Sequence, residues 1–409
     1  MNTSRFSGPR RQNAKLLVGL QALGGANPAV VVALGGLVGS QLATNPEQAT
    51  LPVSLFNLGL ALGILPAAFF MRKLGRRNAY IIGSLLGIGG GFVAFMGVTQ
   101  SSFLIFCLGT ILAGFYSSYV QNYRFAAADS VEARWRPKVI AWVMLGGLVA
   151  AVLATQIILH TRNLWPDTPF AATFLAQAGL AALALPFIFF LRDELMSPST
   201  VVSAHHNQPA RPLSQILKNP RFLIAVLTGM VSYSLMSFMM TASPLAMVNA
   251  GHSVEDSTLG VQWHILAMFA PSFFTSKLIE RFGKIPVTLS GIALLGGASL
   301  AALSGLEVMH FWLSLILLGV GWNFSFIGAT TLVTDCYQPA ETSKVQAFND
   351  FLIFGAVALS SFSSGKLLAH YGWSQLNLWS FPVIGVVSLA LLWHGYLDLR
   401  KPVLRSPQP

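Results

Sequence analysis

The sequence predicts an all-α polytopic membrane protein of twelve transmembrane helices in two six-helix halves, and three observations predict it. The chain is 54% hydrophobic and only 10% charged, where globular proteins carry roughly 25% charged residues, and its mean hydropathy is +0.63. Its apolar residues fall into twelve stretches, each of the roughly 20 residues that a membrane-spanning helix needs. Its polar loops repeat at half the chain length.

The twelve stretches run 17–43, 50–71, 78–98, 101–124, 138–160, 169–191, 221–248, 257–279, 285–306, 310–333, 345–369 and 373–397. Glycine and proline inside them do not argue against helices, because neighbouring helices re-satisfy the freed backbone groups. The first stretch is too long for the core of a cleaved signal peptide and no small-residue cleavage site follows it, so the first helix is expected to insert itself. The net charge of +11 is placed asymmetrically. With both termini on one side, all of the Lys and Arg residues fall on that side except Arg162 and Lys366. By the positive-inside rule both termini are then cytoplasmic in a bacterial inner membrane. The basic charge is a topology signal against a lipid bilayer, and nucleic-acid binding is not expected. Cys107 and Cys336 form no CxxC pair and read as inert.

The loops show the repeat. Arg72-Lys73-Leu74-Gly75-Arg76-Arg77 follows the second stretch and Glu280-Arg281-Phe282-Gly283-Lys284 follows the eighth, with their glycines 208 positions apart. Asp129 precedes Lys138-Val139-Ile140-Ala141-Trp142 after the fourth stretch, and Asp335 precedes Lys344-Val345-Gln346-Ala347-Phe348 after the tenth, 206 apart. Two halves of one plan follow, 1–191 and 221–409. The polar segment 192–220 between them reads as a linker, with a regulatory metal site at His205–His206 as the sharper alternative.

This organisation resembles the major facilitator superfamily. The resemblance rests on the turn with Gly75, Arg76 and Arg77 and its echo at Glu280, Arg281 and Gly283, which look like that family's signature gating loop. It implies two bundles rocking about a central cavity, and a monomer. The first half departs from the pattern, since Arg72 stands where the acidic residue is expected and only Glu280 keeps it.

A second pattern concerns cargo. Six of the 12 methionines fall between Met230 and Met268. Met236 and Met240 are one helical turn apart, as are His264 and Met268, so each pair shares a helix face. On adjacent antiparallel helices the two pairs lie at matching depth, with Met239 a further sulfur off that face. Thioether and imidazole donors without a carboxylate or thiolate favour monovalent copper over zinc, iron or manganese, and exclude oxygen-preferring calcium and magnesium. The bland reading is packing, because methionine fills irregular gaps in apolar cores. An ionisable His264 at membrane depth weighs the other way.

MxxxM followed by HxxxM in the seventh and eighth helices is similar to the CcoA-like bacterial copper transporter family. The resemblance implies copper import by alternating access for cbb-type cytochrome oxidase assembly, with Met236, Met240, His264 and Met268 as transient ligands. Copper is then cargo rather than a resident cofactor, and a copper-accepting protein in the cytoplasm or membrane is a partner. Two alternatives stand beside it. One is the same fold importing an organic substrate such as riboflavin, with Trp142, Trp263, Trp322 and Phe348 available to stack its ring. The other is a non-transporting copper-handling assembly factor. Asn57, Gln121, Asn122, Gln156, Gln177, Gln262, Asn323 and Asn349 either line a cavity or bond between helices. No carboxylate sits plainly at mid-membrane, which leaves His264 or Asp350 for any proton coupling, with uniport equally open. No nucleophile–base pair, phosphate loop or open metal motif suggests an enzyme.

Overall fold

The computed structural model describes residues 8–132, 135–193, 196, 211–338 and 341–399; His205 and His206 lie outside them. The helices are α1 (Pro9–Leu42), α2 (Leu51–Thr99), α3 (Phe103–Val120), α4 (Tyr123–Asp129), α5 (Arg136–Thr161), α6 (Ala171–Phe189), α7 (Leu213–Ile216), α8 (Pro220–Asn249), α9 (Val254–Phe269), α10 (Ser272–Phe282), α11 (Lys284–Leu303), α12 (Val308–Thr334), α13 (Thr342–Leu378) and α14 (Ser380–Leu399). Among the described residues nine helical segments are long and apolar enough to cross a membrane, two of them 54 and 53 residues long. Each of those two is a pair of spans joined at a glycine with positive φ, Gly75 at 80° and Gly372 at 74°. The broken pair α9 and α10, of 16 and 11 residues, supplies one more, which makes twelve crossings. They return the chain to its starting face, called here the terminal face.

The close approach of the helices follows from their small residues. The α3 helix lies against both legs of α2. A Cβ at Gly114 would sit 2.1 Å from the Phe56 carbonyl on one leg, and a Cβ at Gly109 2.4 Å from the Ala94 nitrogen on the other. The break between α9 and α10 is at Pro271, whose ring removes a backbone donor and cannot continue the ladder. Asn323 of α12 makes up the loss, donating 2.7 Å bonds to the Met268 carbonyl and the Ser272 hydroxyl and accepting one of 2.6 Å from Thr275.

Both halves turn the same way on the terminal face. Gly75 and Gly283 have φ of 80° and 91°, each with ψ of 162°. Beside them Arg76 bridges Asp129 at 2.7 Å and Lys284 bridges Asp335 at 2.5 Å. Asp193 Oδ1 accepts from the Arg76 and Arg77 amides at 2.9 and 3.2 Å, capping the helix that starts there. A Cβ on residue 75 would lie 1.9 Å from Asp193 Oδ2, on top of roughly 1–3 kcal/mol for a non-glycine residue at this combination of positive φ and extended ψ. Gly75→Ala is therefore expected to lower the thermal midpoint in detergent by several degrees. Gly89→Ala, where a Cβ would meet nothing within 4 Å, is the control and should leave it unchanged.

Arg211 ties the second half to the residues that precede it. Its backbone amide, Nε and Nη2 each donate to Glu341 at 2.8 Å, and the Gln338 amide donates to the same carboxylate at 2.9 Å. Glu341 lies outside the spans, and its hydrogen bonds from Arg211 hold the carboxyl at about 2, below its ordinary 4.5. Because the folded value is depressed, its stabilisation is complete above about 4.5 and fades as pH falls from there through about 2. The thermal midpoints of wild type and Glu341→Gln are thus expected to differ most near neutrality and to converge as pH drops below 4. A constant difference across that range would contradict this.

The two halves are joined on the face opposite the termini. Ser361 of α13 is 3.3 Å from Ser54 of α2 and 3.1 Å from Thr241 of α8, all buried. An ion pair of Arg162 with Glu255 and a hydrogen bond between His370 and Glu47 at 2.9 Å also cross there. Among the described residues, no ion pair of the terminal face joins one half to the other: Arg10–Glu132 and Arg76–Asp129 lie in the first, Lys284–Asp335 in the second, and Arg211–Glu341 ties the joining segment to the second.

Candidate functional site

Below that junction the halves part around a central cavity. The first half contributes α1 through Gln21 and Pro28, α2 through Phe56 and Asn57, and α3 through Ser117 and Val120. Gln121, Arg124 and Met144 complete that wall. The second half contributes Tyr233, Met236, Ser237, Met240 and Thr241 from α8, Met268 and Phe269 from α9, and Phe354 from α13. The space open to water is narrow, about 150 Å³. Its walls are apolar and aromatic with scattered neutral hydrogen-bonding groups, the usual make-up of a small-molecule site. Arg124 is the one charged residue among those lining it.

The second-half wall is built on an aromatic cluster. Tyr233 meets Trp322, Phe326 and Phe354 edge-on at centroid distances of 5.3, 5.2 and 5.6 Å. Trp322 and Phe326 stack behind it at 5.1 Å with 12° between planes. Such packing fixes the Tyr233 ring through several aromatic contacts of about 0.5–1.5 kcal/mol each.

The structure brings Met236, Met240 and Met268 to this cavity and turns His264 away from it. His264 takes the α12 side of α9. It is fully buried there, with Nδ1 2.8 Å from the Leu315 carbonyl. Met239 faces α11, where its sulfur accepts from Ser299 at 3.7 Å. Of the amides, Asn57 and Gln121 line the cavity. Asn323 bonds between helices as described, and Gln177 bonds to Asn27, which itself donates to Ala113 and Ser117 at 3.0 and 2.9 Å. Trp263 is 41% exposed on the outer surface, and Trp322 sits behind Tyr233 rather than on the cavity wall. In the paired loops, Arg76 is held by Asp129 and the Met196 carbonyl, whereas Arg281 lies over its neighbour Phe282 at 5.2 Å and Glu280 is exposed.

Sequence reasoning missed Tyr233, Phe354, Phe56 and Phe269 as wall residues and counted Arg124 only as topology. A signal for Arg124 was present, since it closes the fourth apolar stretch within one turn of the cavity amide Gln121. Nothing in the local pattern separates Tyr233 from the other aromatics, because its place depends on the packing of α8 against α12 and α13.

Comparison with known proteins shows what the chain is similar to. A model of the Major Facilitator Superfamily matches residues 16–361. The riboflavin transporter RfnT of Brucella anthropi is 53% identical over 382 residues, covering 93% of this chain and 95% of that one. The uncharacterized MFS-type transporter YddS of Bacillus subtilis is 25% identical, covering 94% and 93%. In structure the chain superposes on the nucleoside transporter NupG with a TM-score of 0.73 at 14% identity, covering 95% and 99%. The xylose transporter XylE from E. coli superposes at 0.70 and 13%, with the same coverage. The RfnT relationship overturns the copper reading. A riboflavin transporter at 53% identity corrects the expectation of a CcoA-like copper importer, and with it copper as cargo, a copper-accepting partner, oxidase assembly and the copper-handling assembly factor. Met236, Met240 and Met268 stand on the cavity wall, and His264, the fourth residue of the expected ligand set, faces α12.

Proposed function

The chain belongs to the major facilitator superfamily, and on that premise we propose that it is an alternating-access carrier that imports riboflavin, or a flavin very close to it, across a bacterial inner membrane. The single observation that carries this reading is 53% identity to a riboflavin transporter along nearly the whole of both chains. The cavity supports it. A flat, weakly polar ring system suits a wall of Tyr233, Phe354 and three methionines, since thioether sulfurs make favourable contacts with aromatic rings. Neutral amides and hydroxyls at Asn57, Gln121, Ser237 and Thr241 offer partners for ring heteroatoms and a hydroxylated side chain.

In this proposal the basic terminal face is cytoplasmic, residues 1–191 and 221–409 are the two moving bodies, and 192–220 joins them. The conformation is closed on the outer face by the Ser54–Ser361, Glu47–His370 and Arg162–Glu255 contacts, so the cavity belongs to the inward-facing branch of the cycle. The loop at Gly75, Arg76 and Arg77 braces the first body through Arg76–Asp129, and in the second, whose loop holds Glu280, Arg281 and Gly283, the brace is Lys284–Asp335. No bond is made or broken in the cargo, and the protein acts as a monomer. The test is growth of a riboflavin-auxotrophic bacterium that lacks its own importer, on medium with limiting riboflavin. Expression of this chain is expected to restore growth, and failure to do so with the protein present in the membrane would contradict the reading.

A further inference from the structure

We infer that Arg124 decides which planar substrate the cavity accepts, by donating hydrogen bonds to carbonyl oxygens on the edge of a neutral heterocycle. The inference rests on the flavin reading above and adds to it the recognising group and the part of the substrate recognised.

Arg124 is the second residue of α4, the short helix after α3, and lines the cavity. Among the described residues its guanidinium has no hydrogen-bond acceptor and no ion pair, and its Nε is buried without a partner. Its ring contact is with its own neighbour Phe125, at 4.9 Å. The groups that act on it electrostatically, Tyr233 and Asp350, both belong to the other half and do not bridge to it. A guanidinium carries five N–H donors in a rigid plane. Nε is the donor left unmet away from water, which is costly, and charges at such sites are ordinarily paired. An arrangement that leaves this cation open toward a cavity is completed by acceptors on the occupant.

The surroundings narrow the chemistry. Asp350 balances Arg124 at a distance, and Asn349 donates to Asp350 at 3.1 Å. Among the described residues no further cation lines the cavity, so a multiply charged anion such as a phosphate ester would be poorly met. A neutral ring bearing carbonyl oxygens needs only the donors. The pyrimidine edge of a flavin has two such oxygens flanking one nitrogen, and Tyr233 stands nearby to support the ring.

Riboflavin binding to the purified full chain in detergent, followed by quenching of flavin fluorescence, tests this with Arg124→Met, Arg124→Lys and the probes 2-thioriboflavin and 4-thioriboflavin, in which sulfur is a poorer acceptor. Wild type is expected to bind at least one thio analogue about tenfold more weakly than riboflavin. Arg124→Met is expected to bind riboflavin about 10- to 100-fold more weakly, as for loss of a hydrogen bond to a charged group, and to lose the discrimination between analogues, with Arg124→Lys between. A structural role for Arg124 would lower yield or thermal midpoint and leave that discrimination in place. Arg124→Met with wild-type affinity, or a wild type indifferent to both thio analogues, overturns the inference while the flavin reading stands. The second of these does not depend on the variant folding. A wild type that does not bind riboflavin overturns the flavin reading and this inference together.

Discussion

Ser54→Cys/Ser361→Cys, once oxidised, is expected to lose riboflavin uptake to background and to regain it on addition of reductant. The two hydroxyl oxygens are 3.3 Å apart across the junction between the halves, so the two side chains already meet where the sulfurs of a disulfide would stand. Both residues are buried, at 4% and 0% exposure, so the bond forms in place of an existing contact. If import requires the halves to separate on this face, a covalent link there stops the cycle, because domain closure of this kind turns on rigid bodies moving about an interface. Each single-cysteine variant should transport, since removing one weak hydroxyl contact costs only about 0.5–1.5 kcal/mol. Cross-linked protein, verified by gel shift, that transports at the wild-type rate would show that this face does not open.

The next largest effect is expected at Tyr233. Stacking of a flat base on an aromatic side chain is worth about 1–3 kcal/mol by alanine substitution, so Tyr233→Ala should raise the KM for riboflavin roughly 10- to 100-fold. Tyr233→Phe should stay within a few-fold of wild type, because the ring and its three aromatic neighbours are kept. Uptake kinetics in the auxotroph distinguish the two. An alanine variant with an unchanged KM would place the ring system elsewhere in the cavity.

The fold was legible in the sequence because its cause is distributed. Twelve apolar stretches, an uneven placement of Lys and Arg, and a repeat visible at Gly75/Gly283 and Asp129/Asp335 each survive an error of a few residues. The structure returns them as matched turns with φ of 80° and 91° and matched ion pairs. The site was harder, because its residues converge from many helices and a rotation of one position changes the face. Three of the four residues chosen, Met236, Met240 and Met268, line the cavity. His264 differs, since its imidazole is held by the Leu315 carbonyl on α12, a contact 51 residues away that helical spacing does not encode. The copper reading rested on this histidine together with the methionines; the structure turns the histidine toward α12 and leaves Met236, Met240 and Met268 on the cavity wall. The amides divide the same way. Asn323 repairs the break at Pro271, which no local pattern announces, whereas Gln121 reaches the cavity.

The most direct test of a flavin importer is uptake of radiolabelled riboflavin by vesicles containing the purified chain, with labelled copper measured in parallel on the same vesicles. Saturable riboflavin entry, competed by unlabelled riboflavin and abolished in the oxidised Ser54→Cys/Ser361→Cys protein, with copper entry no greater than in empty vesicles, is the expected result. Copper entry that depends on Met236 and Met240, with no riboflavin entry, would contradict it.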